Sequence, residues 1–355
     1  MREQVSDDPR DDPRTEDSRT GGSRTGDSRT GTGPRLRVLL WHVHGSWTTS
    51  FVQGRHHYLL PTLPEGGPWG AGRLGRAWPD RVREVPVAEL ADTDVDVVVL
   101  QRPEELDLAT RWLGRRPGRD VPAVYVEHNT PKGDVPNTRH PLADQTEVPI
   151  AHVTHFNELI WDCGRAPTTV VEHGVVDPGH RYTGELARTG VVVNEPVRRW
   201  RVTGTDLLPR FASIAPVDVF GMGLAGLNER LGLDRAALTP VGDLPTERLH
   251  AELARRRVYL HPVRWTSLGL SLIEAMHLGM PVVALATTEA GVAVPPEAGV
   301  LATDPRRLVT AVRELIAEPE LAHRMGKHAR QAALARYGLP AFLANWDRLL
   351  TQVLP

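Results

Sequence analysis

The sequence predicts an α/β protein made of two doubly wound parallel-sheet domains. Three observations predict this fold. Short apolar runs typical of buried strands alternate with helical segments along most of the chain. Polar, glycine-containing loops follow the strands, at the edge where open α/β sheets bind ligands. The chain has 355 residues, of which 40% are hydrophobic, so it is long enough for two domains with cores of their own.

The clearest unit of this alternation runs from Val258 to Leu285. Its pattern predicts a strand, a turn, a helix, a second turn and a strand. The helix, Leu268–Leu278, is apolar all round, and the strand Val282–Leu285 is typical of one buried on both faces. Gly269 lets a ligand approach the unpaired N–H groups at the start of the helix, so this turn suits a phosphate. An ordinary βα crossover with a tight glycine turn is the alternative interpretation.

The same segment resembles the nucleotide-sugar motif of retaining GT-B glycosyltransferases of family four. The family pattern is roughly P-x-x-x-E-G-F-G-L-x-x-x-E-A-M-x-x-G-x-P-V-V, and the chain follows it without a gap from Pro262 to Val283. The resemblance implies GT-B architecture, in which two Rossmann-like domains face a cleft. It also implies that the residues of the turn bind the donor, namely Thr266, Ser267, Leu268, Gly269 and Leu270.

Two positions of the motif carry glutamates in the family. The first falls on Thr266 and the second on Glu274. The resemblance implies that Glu274 belongs to the catalytic set and accepts hydrogen bonds from the ribose hydroxyls. The alternative is a glutamate that only complements the helix dipole. Thr266 is shorter and uncharged, which indicates either a different donor sugar or weakened catalysis.

The expected organisation has four parts. Residues 1–34 are a low-complexity tail with almost nothing apolar to bury, which predicts disorder. Residues 35–185 are expected to form an N-terminal Rossmann-like acceptor domain, with a helix over Phe51–Leu60. Residues 186–336 are expected to form a C-terminal Rossmann-like nucleotide-sugar domain. In GT-B proteins the final helix crosses back to the first domain, and residues 337–355 are expected to do so here.

The first domain offers candidate residues after two strands. Gly45 and Ser46 lie in the polar loop after Leu36–Trp41, and the resemblance gives them an acceptor-facing role. A plain βα turn is the alternative. His128 follows the strand Val121–Glu127 and matches the family histidine that touches the donor sugar near the reacting carbon. The alternative is a histidine that caps a loop.

The first loop of the second domain departs from the family pattern. The family places an Arg and then a Lys-Gly here, and both side chains bind the donor diphosphate. Gly204 lines up with the family glycine, which puts Thr203 at the lysine position, and no Arg falls on its expected position without a gap. We expect Arg198, Arg199 or Arg201 to supply the charge, because a guanidinium pairs bidentately with phosphate. A solvated basic loop is the alternative.

Composition narrows the possible partners. The net charge of −2 gives no electrostatic reason to expect nucleic-acid binding. Cys163 is the only cysteine, which leaves no internal disulfide and no cysteine-based zinc site. His42 and His44 have no third ligand nearby, which favours hydrogen bonding over metal ligation.

No apolar run approaches the length of a spanning helix and no signal peptide opens the chain. We expect a cytoplasmic protein, and peripheral contact with a membrane stays open.

The resemblance implies a retaining glycosyltransferase, a hexosyl- or related sugar transferase. It would move a sugar from a nucleotide diphosphate donor to a hydroxyl of a sugar, small-molecule or glycan acceptor. The family needs stabilisation of the leaving diphosphate and positioning of the acceptor, so no metal and no cofactor are expected. The alternative is a GT-B-like nucleotide- or sugar-binding or partner protein with a decayed catalytic set. A dinucleotide enzyme is disfavoured, because no G-x-G-x-x-G follows the first strand.

Overall fold

Two β-sheets organise residues 33–355, the part of the chain that the structure, a computed structural model, describes. The first sheet contains β1 (Arg37–Leu40), β2 (His57–Thr62), β3 (Val82–Pro86), β4 (Val97–Leu100), β5 (Ala123–Glu127), β6 (Ile150–His152) and β7 (Thr168–Val170). The second contains β8 (Leu186–Val192), β9 (Val217–Phe220), β10 (Leu238–Gly242), β11 (Arg256–His261), β12 (Val282–Leu285) and β13 (Gly299–Ala302). The predicted tail, residues 1–34, lies outside the described residues apart from residues 33 and 34.

Both sheets are doubly wound. The strand order is β3-β2-β1-β4-β5-β6-β7 in the first sheet and β10-β9-β8-β11-β12-β13 in the second. Every neighbouring pair of these strands is parallel. The order reverses at β1 in the first sheet and at β8 in the second, which creates a switch point in each. The predicted fold class of two doubly wound parallel-sheet domains is therefore confirmed.

Helices connect the strands and cover the sheets. In the first domain they are α1 (Gly45–Phe51), α2 (Glu104–Leu113) and α3 (His155–Ile160). In the second they are α4 (Pro196–Arg199), α5 (Leu208–Ala212), α6 (Leu227–Leu231), α7 (Thr246–Leu253), α8 (Leu270–Leu278), α9 (Ala290–Ala293), α10 (Pro305–Ala317) and α11 (Pro319–Tyr337), and α12 (Leu339–Gln352) ends the chain. Short 3-10 helices span Val87–Asp92 and Thr205–Leu207.

The strands are buried on both faces, as parallel sheets require. Every residue of β4, β5 and β12 is buried. Each sheet has one hydrophobic cluster on either side, because helices pack on both of its faces. These clusters explain why the central strands are near-continuous apolar runs in the sequence.

Helix α12 packs on the first domain although the second domain precedes it in the chain. Phe342 and Trp346 lie in the same hydrophobic cluster as Trp47 and Phe51. The ring centroids of Trp346 and Trp47 are 5.6 Å apart, with the rings edge to face. The last helix is therefore part of the core beneath the first sheet.

The beginning of the first domain differs from the prediction. The expected helix Phe51–Leu60 is wrong, because α1 already ends at Phe51 and His57–Thr62 forms β2. The apolar run of β2 is short and buried on both faces, and periodicity alone does not distinguish such a run from a buried helix. Gly45 and Ser46 are accordingly the first residues of α1, not part of a longer loop.

Candidate active site

The carboxyl edges of the two sheets meet where the sequence places the site. Ser267, in the loop after β11, lies with its Oγ 3.1 Å from Thr154 Oγ1, after β6. In the same loop, Trp265 Nε1 donates to the Pro131 carbonyl oxygen, after β5, at 2.7 Å. Both contacts join the two domains beside the strand ends. The predicted donor turn therefore faces the loops that follow β5 and β6.

The turn before α8 approaches its neighbours closely. Ser267 and Leu268 are buried, Thr266 is half-buried, and the helix begins at Leu270. A Cβ atom on Gly269 would lie 2.7 Å from His261 Cε1, so only glycine fits there without a shift. No side chain caps the first turn of α8. The Leu272 N–H bonds the Gly269 carbonyl oxygen at 3.0 Å, which leaves the N–H groups of Leu270 and Ser271 open to an anion. The donor-binding role of the turn stays a prediction.

Glu274 is a buried carboxylate on α8, with 9% of its surface exposed. The first turn of α8 contains no acidic residue, so Glu274 lies beyond the region where the helix dipole acts most strongly. Its Oε2 atom is 3.7 Å from His250 Nε2, too far for a hydrogen bond. Neither carboxylate oxygen is enclosed without a partner. The carboxylate is therefore available to hydroxyl donors of a ligand.

His128 directly follows β5 and lies among other rings. Its Nε2 is 3.1 Å from Gln101 Oε1. The His44 ring centroid is 4.0 Å away, and Trp47 makes an edge-to-face contact at 5.0 Å. Burial holds the pKa of His128 well below its usual value, and His44 and His173 act in the same direction. His128 is therefore a neutral imidazole in the folded protein.

The neighbouring Glu127 does not share this environment. Its Oε1 accepts from the Asn129 backbone N–H at 2.6 Å, and its Oε2 lies 3.0 Å from His140 Nε2. His140 Nδ1 accepts from the Leu142 N–H at 3.0 Å, so the His140 proton is on Nε2 and is donated to Glu127. The Glu127 carboxylate thus holds the loop after β5.

The loop after β8 contains Thr203 at the position of the family lysine, and the Thr203 side chain is buried within this loop. Thr203 is 2% exposed, and its hydroxyl lies 3.1 Å from the Trp200 carbonyl oxygen and 2.8 Å from Thr205 Oγ1. This hydroxyl is used inside the loop, and the donor-binding role expected for Thr203 and Gly204 stays a prediction. Gly204 has φ +70°, and a Cβ there would lie 1.8 Å from the Pro262 carbonyl oxygen. Packing against the loop after β11 therefore explains the glycine at this position.

The three arginines of this loop are not equivalent. Arg198 is exposed and pairs with Glu195. Arg201 is exposed and pairs with Asp206 at 3.1 Å. Arg199 is half-buried and has no ion pair with any residue between 33 and 355. Burial lowers the pKa of Arg199, and the charge of Arg198 lowers it further. The nearby charge of Glu195 raises the pKa of Arg199, but Arg199 forms no direct ion pair with Glu195 or any other described residue, so we expect it to be the arginine of this loop that pairs with a ligand.

Of the two predicted acceptor-side residues, only Gly45 lies close to a loop of the first domain. Gly45 begins α1, and Arg76 Nη2 would lie 2.7 Å from a Cβ placed on it. Ser46 is exposed. The imidazole of His42 bonds the Gly72 carbonyl oxygen at 3.1 Å, which agrees with hydrogen bonding for this histidine. The acceptor-facing role of Gly45 and Ser46 stays a prediction.

Sequence reasoning missed several residues around His128. His44 lies against the His128 ring, and the pKa of His44 is lowered to about 4, mainly by burial and then by the charge of Arg102. His173 stacks on His128 at 6.5 Å, and burial lowers the pKa of His173 to about 3. The available signal was a histidine shortly after a strand of one sheet, since His44 follows the end of β1 and His173 follows the end of β7. The parallel order β1-β4-β5-β6-β7 places these strand ends at one edge of the sheet.

Two tests for other kinds of site give negative results. In the described part of the chain, no group of three or more His, Cys, Asp or Glu side chains is placed to hold a metal ion. None of the helices between residues 33 and 355 is long and apolar enough to cross a membrane.

Comparison with known proteins agrees with the fold of two parallel-sheet domains and with the motif around α8. Residues 235–332 match the family model of glycosyl transferases group 1. The chain is also similar to sucrose-phosphate synthase from Thermosynechococcus elongatus, with 16% identity, coverage of 90% of this chain and 99% of that chain, and a TM-score of 0.67. The fold is GT-B.

Other GT-B structures show the same similarity. Anabaena Alr3699/HepE, solved in complex with UDP, is 16% identical, covers 89% of this chain and 100% of its own, and has a TM-score of 0.66. A glycosyltransferase from Rickettsia africae is 12% identical, with coverage of 90% and 99% and a TM-score of 0.64. No curated protein matches the chain.

The matched segment contains the turn and the helix that are predicted to bind the donor. It includes α8, with Gly269 before it and Glu274 within it. The resemblance to GT-B glycosyltransferases predicted from the sequence is confirmed by this family match and by the GT-B fold of the similar structures.

Proposed function

We propose that the protein is a retaining glycosyltransferase, which transfers a sugar from a nucleotide diphosphate donor to an acceptor hydroxyl. The observation that carries the proposal is the position of α8 relative to His128. Leu270, the first residue of α8, packs against the cluster that contains Trp47, and Trp47 contacts the His128 ring. The uncapped helix start and His128 therefore border the same hydrophobic cluster.

Each part of a donor has a partner of suitable chemistry in this arrangement. The diphosphate would lie at the start of α8, and Arg199, from the loop that packs on Pro262 through Gly204, would supply the positive charge. Glu274 would accept hydrogen bonds from the ribose diol, and the sugar would lie against His128. Charge that develops on the leaving diphosphate would be stabilised by fixed N–H groups and a guanidinium, without requiring a metal.

The proposed retention rests on the resemblance to retaining glycosyltransferases, and the carboxylate beside His128 bears only on the route of the reaction. Glu127 is the carboxylate adjacent to His128, and both of its oxygens are engaged with the loop after β5. A covalent sugar intermediate on Glu127 is thereby disfavoured. A reaction on one face of the sugar, in which the leaving diphosphate helps to deprotonate the acceptor, is compatible with this site.

One observation favours the second candidate, a GT-B-like binding protein without turnover. Thr203 is buried and Thr266 is short and uncharged, so two charged positions of the family motif are missing. Such a protein would bind nucleotide, or nucleotide sugar, without releasing free nucleotide diphosphate. Turnover in the presence of an acceptor separates the two candidates.

The first experiment is a thermal-shift panel of UDP, GDP, ADP, TDP and their common sugar conjugates. UDP and UDP-sugars come first, because HepE has been solved with UDP and with UDP-glucose. A ligand that binds only the native state at about 100 times its Kd adds about 2.7 kcal/mol of stability. We expect one base to raise the Tm clearly. The absence of a shift from every compound at millimolar concentration would contradict the proposal.

Two variants then test the site. Glu274→Gln should weaken binding of the stabilising nucleotide about tenfold or more, because a hydrogen bond to a charged group is worth about 1.5–3 kcal/mol. Glu314→Gln, on the exposed face of α10, is the matched control and should bind normally. His128→Ala should slow transfer more than it weakens nucleotide binding. Normal affinity in Glu274→Gln would remove Glu274 from the site.

A further inference from the structure

The partners of His128 fix where its proton lies. Gln101 follows β4, and its Nε2 donates to the Trp41 carbonyl oxygen, after β1, at 2.7 Å. A carbonyl oxygen only accepts, so the amide nitrogen must face it and Oε1 must face His128 Nε2, at 3.1 Å. An amide oxygen also only accepts. The proton of the neutral His128 imidazole is therefore on Nε2.

Gln101 is held firmly enough to enforce this choice. Its side chain is buried, with 2% of the residue exposed. Its backbone N–H donates to Glu105 Oε2 at 2.6 Å, and its backbone carbonyl lies 3.4 Å from the Tyr125 hydroxyl. The other tautomer of His128 would place a lone pair opposite Oε1 in a dry environment, where unpaired polar atoms are costly.

The remaining nitrogen of His128 faces away from these contacts. Nδ1 has no hydrogen-bond partner among residues 33–355, and it is not one of the enclosed unpartnered atoms. With the proton on Nε2, this accessible nitrogen carries a lone pair and can only accept. A ligand group placed there must be a donor.

We propose that Gln101 is a positioning residue that holds His128 as the Nε2–H tautomer, so that Nδ1 accepts a hydrogen bond from a hydroxyl of the donor sugar. The inference rests on the proposed function for the identity of the ligand, whereas the tautomer depends on the protein alone. A carboxylate or carbonyl oxygen at that position of the sugar has no proton to donate, so it would be repelled by the lone pair of His128 Nδ1. The site therefore selects a sugar with a free hydroxyl at this position over its deoxy, uronate or keto analogue.

The tautomer is tested by nitrogen NMR of the full-length protein labelled at histidine, without any ligand. The signal that disappears in His128→Phe belongs to His128. We expect a protonated Nε2 and an unprotonated Nδ1 in the unmodified protein. An Nδ1–H tautomer in the unmodified protein would overturn the proposal. This measurement does not depend on any variant at Gln101.

Variants at Gln101 test the cause. Gln101→Leu should give a mixture of His128 tautomers. A buried Gln101→Glu side chain in its protonated form can donate to the Trp41 carbonyl oxygen and keep an acceptor oxygen opposite Nε2, so it should preserve the Nε2 proton. Gln53→Leu is the matched control, because Gln53 also bonds a backbone carbonyl, that of Thr49 at 3.1 Å, away from His128. An unchanged tautomer in a folded Gln101→Leu protein would contradict the positioning role.

The sugar contact is tested with UDP-glucose as the probe and UDP as its sugar-free control. We expect UDP-glucose, and not UDP, to shift the Nδ1 signal. We also expect Gln101→Leu to lower kcat about three- to tenfold while UDP affinity stays unchanged, and Gln101→Glu to restore part of the loss. UDP binding with no effect of the glucose on Nδ1 would refute the hydroxyl contact. No perturbation of any signal by either compound would count against the proposed function, and the tautomer result would still decide the role of Gln101.

Discussion

The loop after β8 gives a sharp test, because three arginines in one short segment differ in their partners. Replacing Arg199 with glutamine removes a half-buried cation that has no ion pair among the described residues. Arg198→Gln and Arg201→Gln remove exposed cations that pair with Glu195 and Asp206. The three variants delete the same charge from the same loop, so a non-specific electrostatic effect would be similar in all of them.

The expected magnitude follows from burial and pairing. Exposed, paired charges contribute about 0–1 kcal/mol and are screened by salt, so Arg198→Gln and Arg201→Gln should change nucleotide diphosphate affinity by no more than about threefold. A charge-assisted hydrogen bond from a partly buried guanidinium to phosphate is worth about 1.5–3 kcal/mol. Arg199→Gln should therefore weaken binding by about 10- to 100-fold.

The assay is titration calorimetry with the nucleotide diphosphate that the thermal-shift panel selects, at physiological ionic strength. The Tm of the ligand-free protein serves as the folding control. Removal of a half-buried, unpaired cation should leave this Tm unchanged or raise it, because desolvation of the charge opposes folding. Equal losses in all three variants would indicate a solvated basic loop, and a loss below threefold in Arg199→Gln would refute its assignment to the diphosphate.

Two further predictions concern stability. Gly204→Ala should lower the free energy of unfolding by more than Gly226→Ala. Both glycines have positive φ, at +70° and +73°, but only a Cβ at residue 204 would meet a backbone atom. Equal losses of unfolding free energy in urea titrations of the two variants would contradict the close contact with Pro262. The second prediction is that stability falls as pH drops from 6.5 towards 4. The pKa values of His152 and His173 are lowered to about 3 and that of His261 to about 4, chiefly by burial. The unfolded chain takes up these protons near pH 6.5, whereas the folded protein does not. Each histidine therefore lowers the free energy of unfolding by up to about 1.4 kcal/mol for every pH unit below 6.5. Equal unfolding free energies at pH 7 and pH 5 would refute the assignment of neutral histidines.

Much of the fold could be predicted because parallel strands are buried on both faces. Val282–Leu285 was predicted with the bounds that β12 has, since glycine and proline punctuate a continuous apolar run. The same property made β2 ambiguous. Its short apolar run carries no period that separates strand from helix, and only a short turn separates it from the end of α1 at Phe51.

The site could be predicted only where one segment contains it. Gly269 and Glu274 lie on one turn and one helix, so their spacing in the sequence fixes their relation in space. The surroundings of His128 come from three separate strand ends, and no local pattern relates Trp41, Gln101 and His128. Their meeting depends on the order β1-β4-β5, which is a property of the assembled sheet.

The departure at Thr203 is a change of loop conformation as well as of residue type. The Thr203 hydroxyl bonds within the loop, and Gly204 places the chain against the Pro262 carbonyl oxygen. A lysine at residue 203 would have to put its ammonium group into this buried position or open the loop, and burial of an unpaired charge is costly. In this loop conformation, residue 203 cannot supply a cation for a phosphate, so another residue would have to do so. Arg199, half-buried and without an ion pair in residues 33–355, is the member of the loop that can meet it.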